Sequence, residues 1–172
     1  MVLSASQHDW HAKLAEGIVG EDAVIQSLSR LGVVTKATSM ELQRLGIDCF
    51  VENPLLGIIS VEIKTDSQIS KTGNAFLEYS IEYERENRLG WILKTVAQRV
   101  AYYSPQQKKV YLLDAVLLKK YLPHWKREHP IGNAISVNEG RRWIGVGVLV
   151  PFTVLYSEVG TGILDVAPAL QV

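Results

Sequence analysis

Apolar positions recur at three- and four-residue steps through Trp10, Leu14, Ile18, Val24, Ile25, Leu28 and Leu31, a period that predicts a long first helix. Gly17 and Gly20 loosen its early part, and Gly32 offers a C-cap. Residues 33–36 then read as a short strand. A polar stretch through Arg44 leaves room for one helical turn. Residues 46–51 are apolar and short, and Glu52-Asn53-Pro54 breaks them. Residues 57–65 alternate, with Ile58, Ile59, Val61 and Ile63, so the two runs predict a hairpin. Residues 67–74 are polar and contain Gly73-Asn74, a loop. Strand character returns over residues 75–83 with Phe76, Leu77, Tyr79 and Ile81, and the charged residues 82–90 read as a surface connection.

Residues 91–103 read as a second helix, with Trp91, Val96, Val100 and Tyr103 sharing one side and Pro105 ending it. Residues 109–113 predict a strand, and Asp114 caps a helix over residues 115–121. Residues 123–139 look irregular. Residues 143–155 form a last apolar strand region, interrupted at Pro151, and the tail from Gly160 reads as loosely held. The order predicts an α/β (α+β) fold, one mixed sheet with helices against it. No repeat or linker divides the 172 residues, so one domain is expected.

Composition narrows the function little. Hydrophobic residues make up 47% and charged residues 21%, as in a folded globular chain. Eighteen basic and eighteen acidic residues cancel, which argues against a histone-like polycation but not against a local basic patch. The charge is uneven: residues 1–60 hold four basic and seven acidic residues, and residues 101–172 hold eight and five. Cys49 alone makes no internal disulfide and no zinc-finger spacing, and it reads as a buried thiol. No signal peptide opens the chain, and residues 145–156 are too short an apolar run to span a bilayer. A cytoplasmic protein without membrane contact is the expectation.

The chemistry concentrates in Gly46-Ile47-Asp48 and Ser60-Val61-Glu62-Ile63-Lys64. Glu62 and Lys64 are two apart on one strand and share a face. A hairpin brings Asp48 beside them. Two carboxylates and an amine on one face are costly if buried, and a divalent cation resolves the conflict. Carboxylate oxygens suit Mg²⁺, with Mn²⁺ as its substitute, and the Ile63 carbonyl is a further ligand candidate. Lys64 can orient or deprotonate a water, or stabilise charge on a phosphate. Such a set can hydrolyse a phosphodiester. The alternative is a hairpin whose polar side faces solvent, with Glu62 and Lys64 as a surface pair.

The run Ile47-Asp48 … Val61-Glu62-Ile63-Lys64 resembles the signature of the PD-(D/E)XK nuclease superfamily, with Ile47 where that name has proline. Residues 20–28 with Leu31-Gly32 resemble the first helix of Holliday-junction resolvases and related nucleases, on which a glutamate reaches the metal site. Glu21 matches that glutamate best, and Glu16 is the alternative. Glu62-Ile63-Lys64-Thr65-Asp66, Lys71-Thr72-Gly73-Asn74 and Glu78 are similar to a run in phage and bacterial members, followed there by a helix whose inner side would here hold Thr95 and Ala97.

The likeness spans about residues 15 to 155 and implies a restriction-endonuclease-like fold, core order αβββαβ. It implies a Mg²⁺-dependent DNA endonuclease of restriction, homing or resolvase type. Asp48 and Glu62 would hold metal, Lys64 would assist, and Glu21 would complete the site. Glu78 is either an additional ligand or a strand residue. Lys71 and Asn74 either touch phosphate or shape a turn. Cutting both strands suggests a homodimer or higher homo-oligomer. The competing expectation is a non-catalytic DNA-binding or protein-interaction module on the same fold.

Other features carry less. His8 and His11 lack a third ligand, and His124 and His129 are spaced poorly for one helical face. Trp125-Lys126-Arg127, Lys108-Lys109, Lys119-Lys120 and Arg141-Arg142 are either backbone-phosphate contacts or solvated surface.

Overall fold

The structure is a computed structural model that describes residues 6–83, 86–138 and 141–166. In chain order the elements are β1 (Ser6–Asp9), α1 (Trp10–Leu28), β2 (Val33–Lys36), α2 (Met40–Arg44), β3 (Cys49–Asn53), β4 (Gly57–Thr65), α3 (Ile69–Thr72), β5 (Asn74–Tyr83) and β6 (Glu86–Leu89). They continue with α4 (Trp91–Lys94), β7 (Arg99–Ser104), β8 (Lys109–Asp114), α5 (Ala115–Glu128), β9 (Ile131–Asn138), β10 (Arg141–Pro151), α6 (Phe152–Val159) and β11 (Gly160–Asp165). The fold is mixed α and β, with a central, mostly antiparallel sheet flanked by helices.

That central sheet has six strands in the order β11-β8-β7-β4-β3-β2. Its only parallel pair among the described residues is β4 with β7; the other four pairings are antiparallel. A second sheet of five strands, β1-β9-β10-β5-β6, is separate from it. The sequence reading merged the two sheets because strand character alone does not say which edges pair.

Strand β4 has two faces with opposite chemistry. Val61 and Ile63 pack with Val24 and Leu28 of α1, with Cys49 and Val51 of β3, and with Ala101 and Val110. Burying such side chains stabilises by about 1.5–3 kcal/mol each. α1 comes so close that a Cβ on Gly20 would lie 2.2 Å from the Thr65 hydroxyl. Glu62 and Lys64, the alternate residues, take the other face. There Val100 and Tyr102 of β7 join Leu113, Leu118, Trp125, Leu77, Val148 and Leu155 in a cluster drawn from both sheets and from α5 and α6.

The β3–β4 hairpin forms as its sequence predicts. Asn53 Oδ1 accepts from the amides of Leu55 and Leu56, and Gly57 takes φ +76°, a conformation that favours glycine.

Several expectations change. Residues 91–103 are not one helix: α4 stops at Lys94, and β7 begins at Arg99. β7 is nearly all buried between β4 and β8, so its apolar run has no alternation to reveal a strand. α5 runs through Pro123 to Glu128, held by buried Leu122 and Trp125, and the Trp125 indole N–H donates to Glu158 at 2.6 Å. The strand region expected over residues 143–155 ends at Pro151, where buried Phe152, Leu155 and Val159 resume a helical period. The stretch read as a tail opens with β11, paired to β8.

No described helix is long and apolar enough to cross a membrane.

Candidate active site

The site is built where α2 hands over to β3. Ser39 caps α2 by accepting from the Glu41 amide. The helix ends when Leu45 and Gly46 donate their amides to Glu41 and Gln43 carbonyls, and Gly46 takes φ +72°. That left-handed turn delivers Asp48 to the mouth of the hairpin. Its amide donates to the Val61 carbonyl at 2.9 Å, continuing the β3–β4 ladder. The Asp48 carboxylate reaches across to β4, and Oδ2 accepts from the Ile63 amide at 2.6 Å.

Glu62 is 3% exposed. Its Oε1 faces the Lys64 ammonium at 2.7 Å, and its Oε2 is buried with no hydrogen-bond partner among the described residues. Lys64, about a third exposed, also stands 5.6 Å from the centre of the Trp91 ring. A bare carboxylate oxygen in the interior is expensive unless something cationic or protic meets it. Gly46 packs closely beside it, since a Cβ there would lie 3.0 Å from Glu62 Oε2. Asp48 is thus tied to β4 at the Ile63 amide, and Glu62 pairs with Lys64 on the same strand.

The helix glutamate has different company. Glu21 faces Lys36 at 3.5 Å, and Asp22 holds the same amine at 2.8 Å. The Asp22 hydrogen bond leads in raising the Lys36 pKa. Lys36 is in register with Cys49, so this group lies toward the α1 side of the sheet. Burial pushes the Cys49 thiol up from 9.0 to about 12, with the Asp48 and Glu21 charges adding to the effect. Glu16 belongs to α1, but its side chain lies outside the described residues, as do those of His8 and His11.

Glu78 is on the other sheet. A Cβ on Gly145 of β10 would lie 2.1 Å from its Oε2, so the carboxylate rests over that glycine. Lys71 is exposed at the end of α3, and Asn74 Nδ2 donates to the Thr72 carbonyl beside Gly73, which takes φ +70°. Asn74 thus helps to shape the turn into β5. Asp66 accepts from the buried Tyr102 hydroxyl at 2.7 Å. Burial, then the Asp66 charge, raises the pKa of that phenol well above its usual range.

Trp91, Thr95 and Lys119 adjoin the site and were not singled out as site residues from sequence. The Thr95 hydroxyl donates to the Gly46 carbonyl at 3.0 Å. The glycine directly before Ile47-Asp48 was the available signal, since a glycine at a helix end announces a close approach. What approaches it was hidden by the sequence distance to residue 95.

No protein-family model matches the chain, and no curated protein does. Among solved structures, the fold is similar to that of a bacterial homing endonuclease, I-Ssp6803I, at 16% identity and a TM-score of 0.48. The overlap covers 64% of this chain and 74% of that one, and it is too loose to carry chemistry from one to the other.

Proposed function

We propose that the chain is a divalent-cation-dependent DNA endonuclease of the PD-(D/E)XK type. The observation that carries this reading is the buried, unpartnered Glu62 Oε2 beside Lys64. It fits a cation better than any protein group present, because an anionic oxygen removed from water calls for positive charge. Asp48 and Glu62 would hold Mg²⁺ or Mn²⁺, with the Ile63 carbonyl as a further ligand. One or two carboxylates with water and phosphate are ordinary company for Mg²⁺. When bound, the ion would supply an activated water and charge neutralisation at a phosphate.

The chain's own residues do the rest. The Ile63 amide fixes one Asp48 oxygen and so the direction of the carboxylate. Lys64 brings a positive charge on a partly exposed stem, suited to a phosphate oxygen or to holding a water by hydrogen bonds. Trp91 backs that amine on one side. Cleavage of a duplex at two strands calls for two such sites, so a homodimer or higher assembly is part of the proposal.

A second reading, a non-catalytic DNA- or protein-binding module, draws on the closed Glu62–Lys64 contact, which already gives each charge a partner.

The test is cleavage of supercoiled plasmid, linear duplex, single strands and four-way junctions in Mg²⁺, Mn²⁺ or EDTA. Wild type is expected to cut with metal only, and Lys64→Ala to lose about a hundredfold or more in rate. The preferred substrate would separate resolvase, restriction and homing types. Tight DNA binding with no cleavage in either metal would favour the second reading, and unchanged cutting by Lys64→Ala would refute the assignment of the site.

A further inference from the structure

We infer that Thr95 is a positioning residue for the proposed cation seat, anchored by Lys119, and that it fixes Gly46 and the turn into Asp48 against Glu62. The inference rests on the nuclease reading for what the seat binds.

Thr95 follows α4 and is 1% exposed. Its hydroxyl works in both directions: it donates to the Gly46 carbonyl at 3.0 Å and accepts from the Ala97 amide at 3.2 Å. The next residue repeats the tie, because the Val96 amide donates to the Leu45 carbonyl at 2.9 Å. On the far side the Lys119 ammonium of α5 donates to the Thr95 carbonyl.

The approach is close. A Cβ on Gly46 would lie 2.9 Å from Thr95 Cα and 3.0 Å from Glu62 Oε2, so Gly46 packs closely against both that oxygen and Thr95, whose ties to this turn act as a latch. Lys119, Thr95 and Gly46 thus form a chain of contacts from α5 to that oxygen, and Asp48 follows Gly46 by two residues. Thr95 meets no reacting group in this scheme. It acts by holding the distance between the two carboxylate-bearing segments, and that distance decides whether one ion can reach both.

The test is Mn²⁺ binding to the full chain, by calorimetry and by the paramagnetic resonance signal of free Mn²⁺, with no nucleic acid present. Thr95→Val keeps the shape but drops the hydroxyl, Thr95→Ser restores it, and Lys119→Met removes the anchor while leaving the hydroxyl. Glu62→Gln marks the seat.

Thr95→Val and Lys119→Met are expected to weaken Mn²⁺ about tenfold or more, with Thr95→Ser within about twofold of wild type. Circular dichroism checks that each variant is folded; should Thr95→Val fail to fold, Lys119→Met decides alone. Wild-type affinity in the folded latch variants, with binding lost in Glu62→Gln, would overturn the inference and leave the nuclease reading standing. No Mn²⁺ binding by wild type, or equal binding by Glu62→Gln, would overturn both.

Discussion

Two glutamate–lysine pairs differ in their surroundings: Glu21 with Lys36 joins α1 to β2, and Glu62 with Lys64 sits on β4. Glu21 and Lys36 stand 3.5 Å apart with side chains 39% and 50% exposed, and Asp22 shares the lysine. Glu62 and Lys64 stand 2.7 Å apart, with the glutamate side chain only 4% exposed. In the first pair water can solvate what the partners leave over. In the second, one glutamate oxygen is buried and meets no donor among the described residues. Identical residue types therefore make a solvated surface group in one place and an unfinished polar site in the other. Burial sets the difference, through the high cost of desolvating charge.

The sharpest way to break this contrast is to remove each lysine. Lys64→Met leaves the buried Glu62 charge uncompensated. It is expected to cost about 2–3 kcal/mol in urea unfolding, below the usual penalty for a fully buried pair because Lys64 is a third exposed. Lys36→Met is expected to leave the unfolding curve unchanged. Equal losses in the two variants would mean that burial does not separate the pairs.

Gly46→Ala comes next. It forces a side chain into a left-handed backbone and against Thr95 and Glu62, so a loss of about 1–3 kcal/mol is expected in the same experiment. A neutral Gly46→Ala would show that the turn has room the geometry denies.

The double variant Glu62→Leu with Lys64→Met sharpens the comparison further. Replacing both partners removes the orphaned charge, and stability is expected to return to within about 1 kcal/mol of wild type. A double variant as unstable as Lys64→Met alone would point to a packing role for the pair.

The smallest effect concerns Cys49, between the two pairs. Its pKa is raised from 9.0 to about 12, so the folded state favours the neutral thiol. That contribution is fully present below pH 9 and is lost as pH rises toward 12. A thiol reagent at pH 8 is expected to label Cys49 only on unfolding. Rapid labelling of the native protein would show that the α1–β3 contact opens.

Much of this was legible in the sequence where spacing is local. The alternation over residues 57–65 and the break at Glu52-Asn53-Pro54 predict the hairpin, although β3 runs on through Asn53, and the hairpin brings Asp48 to β4. The two-residue step from Glu62 to Lys64 fixes their shared face. What failed was non-local. β7 looked helical because a strand buried on both faces shows no alternation. α6 hid inside an apolar run, since its period emerges only once Pro151 ends the strand. Asp114 was read as the cap of α5, and its carboxylate does accept from the Val116 and Leu117 amides. The sequence predicts an end at Tyr121, ahead of Pro123, but α5 continues to Glu128 because tertiary burial of Leu122 and Trp125 outweighs the missing amide. At the site, the Thr95 tie to Gly46 spans 49 residues, a separation over which spacing carries no signal.

The most direct test of the central claim, that Glu62 Oε2 is held for a divalent cation, is the unfolding midpoint of the metal-free protein with and without saturating Mg²⁺, for wild type and Glu62→Gln. A ligand that binds only the folded state raises its stability by RT ln(1 + L/Kd), with L the free ligand concentration. The account predicts a higher midpoint with Mg²⁺ for wild type and no change for Glu62→Gln. An unmoved wild-type midpoint, or the same rise in both proteins, would contradict it.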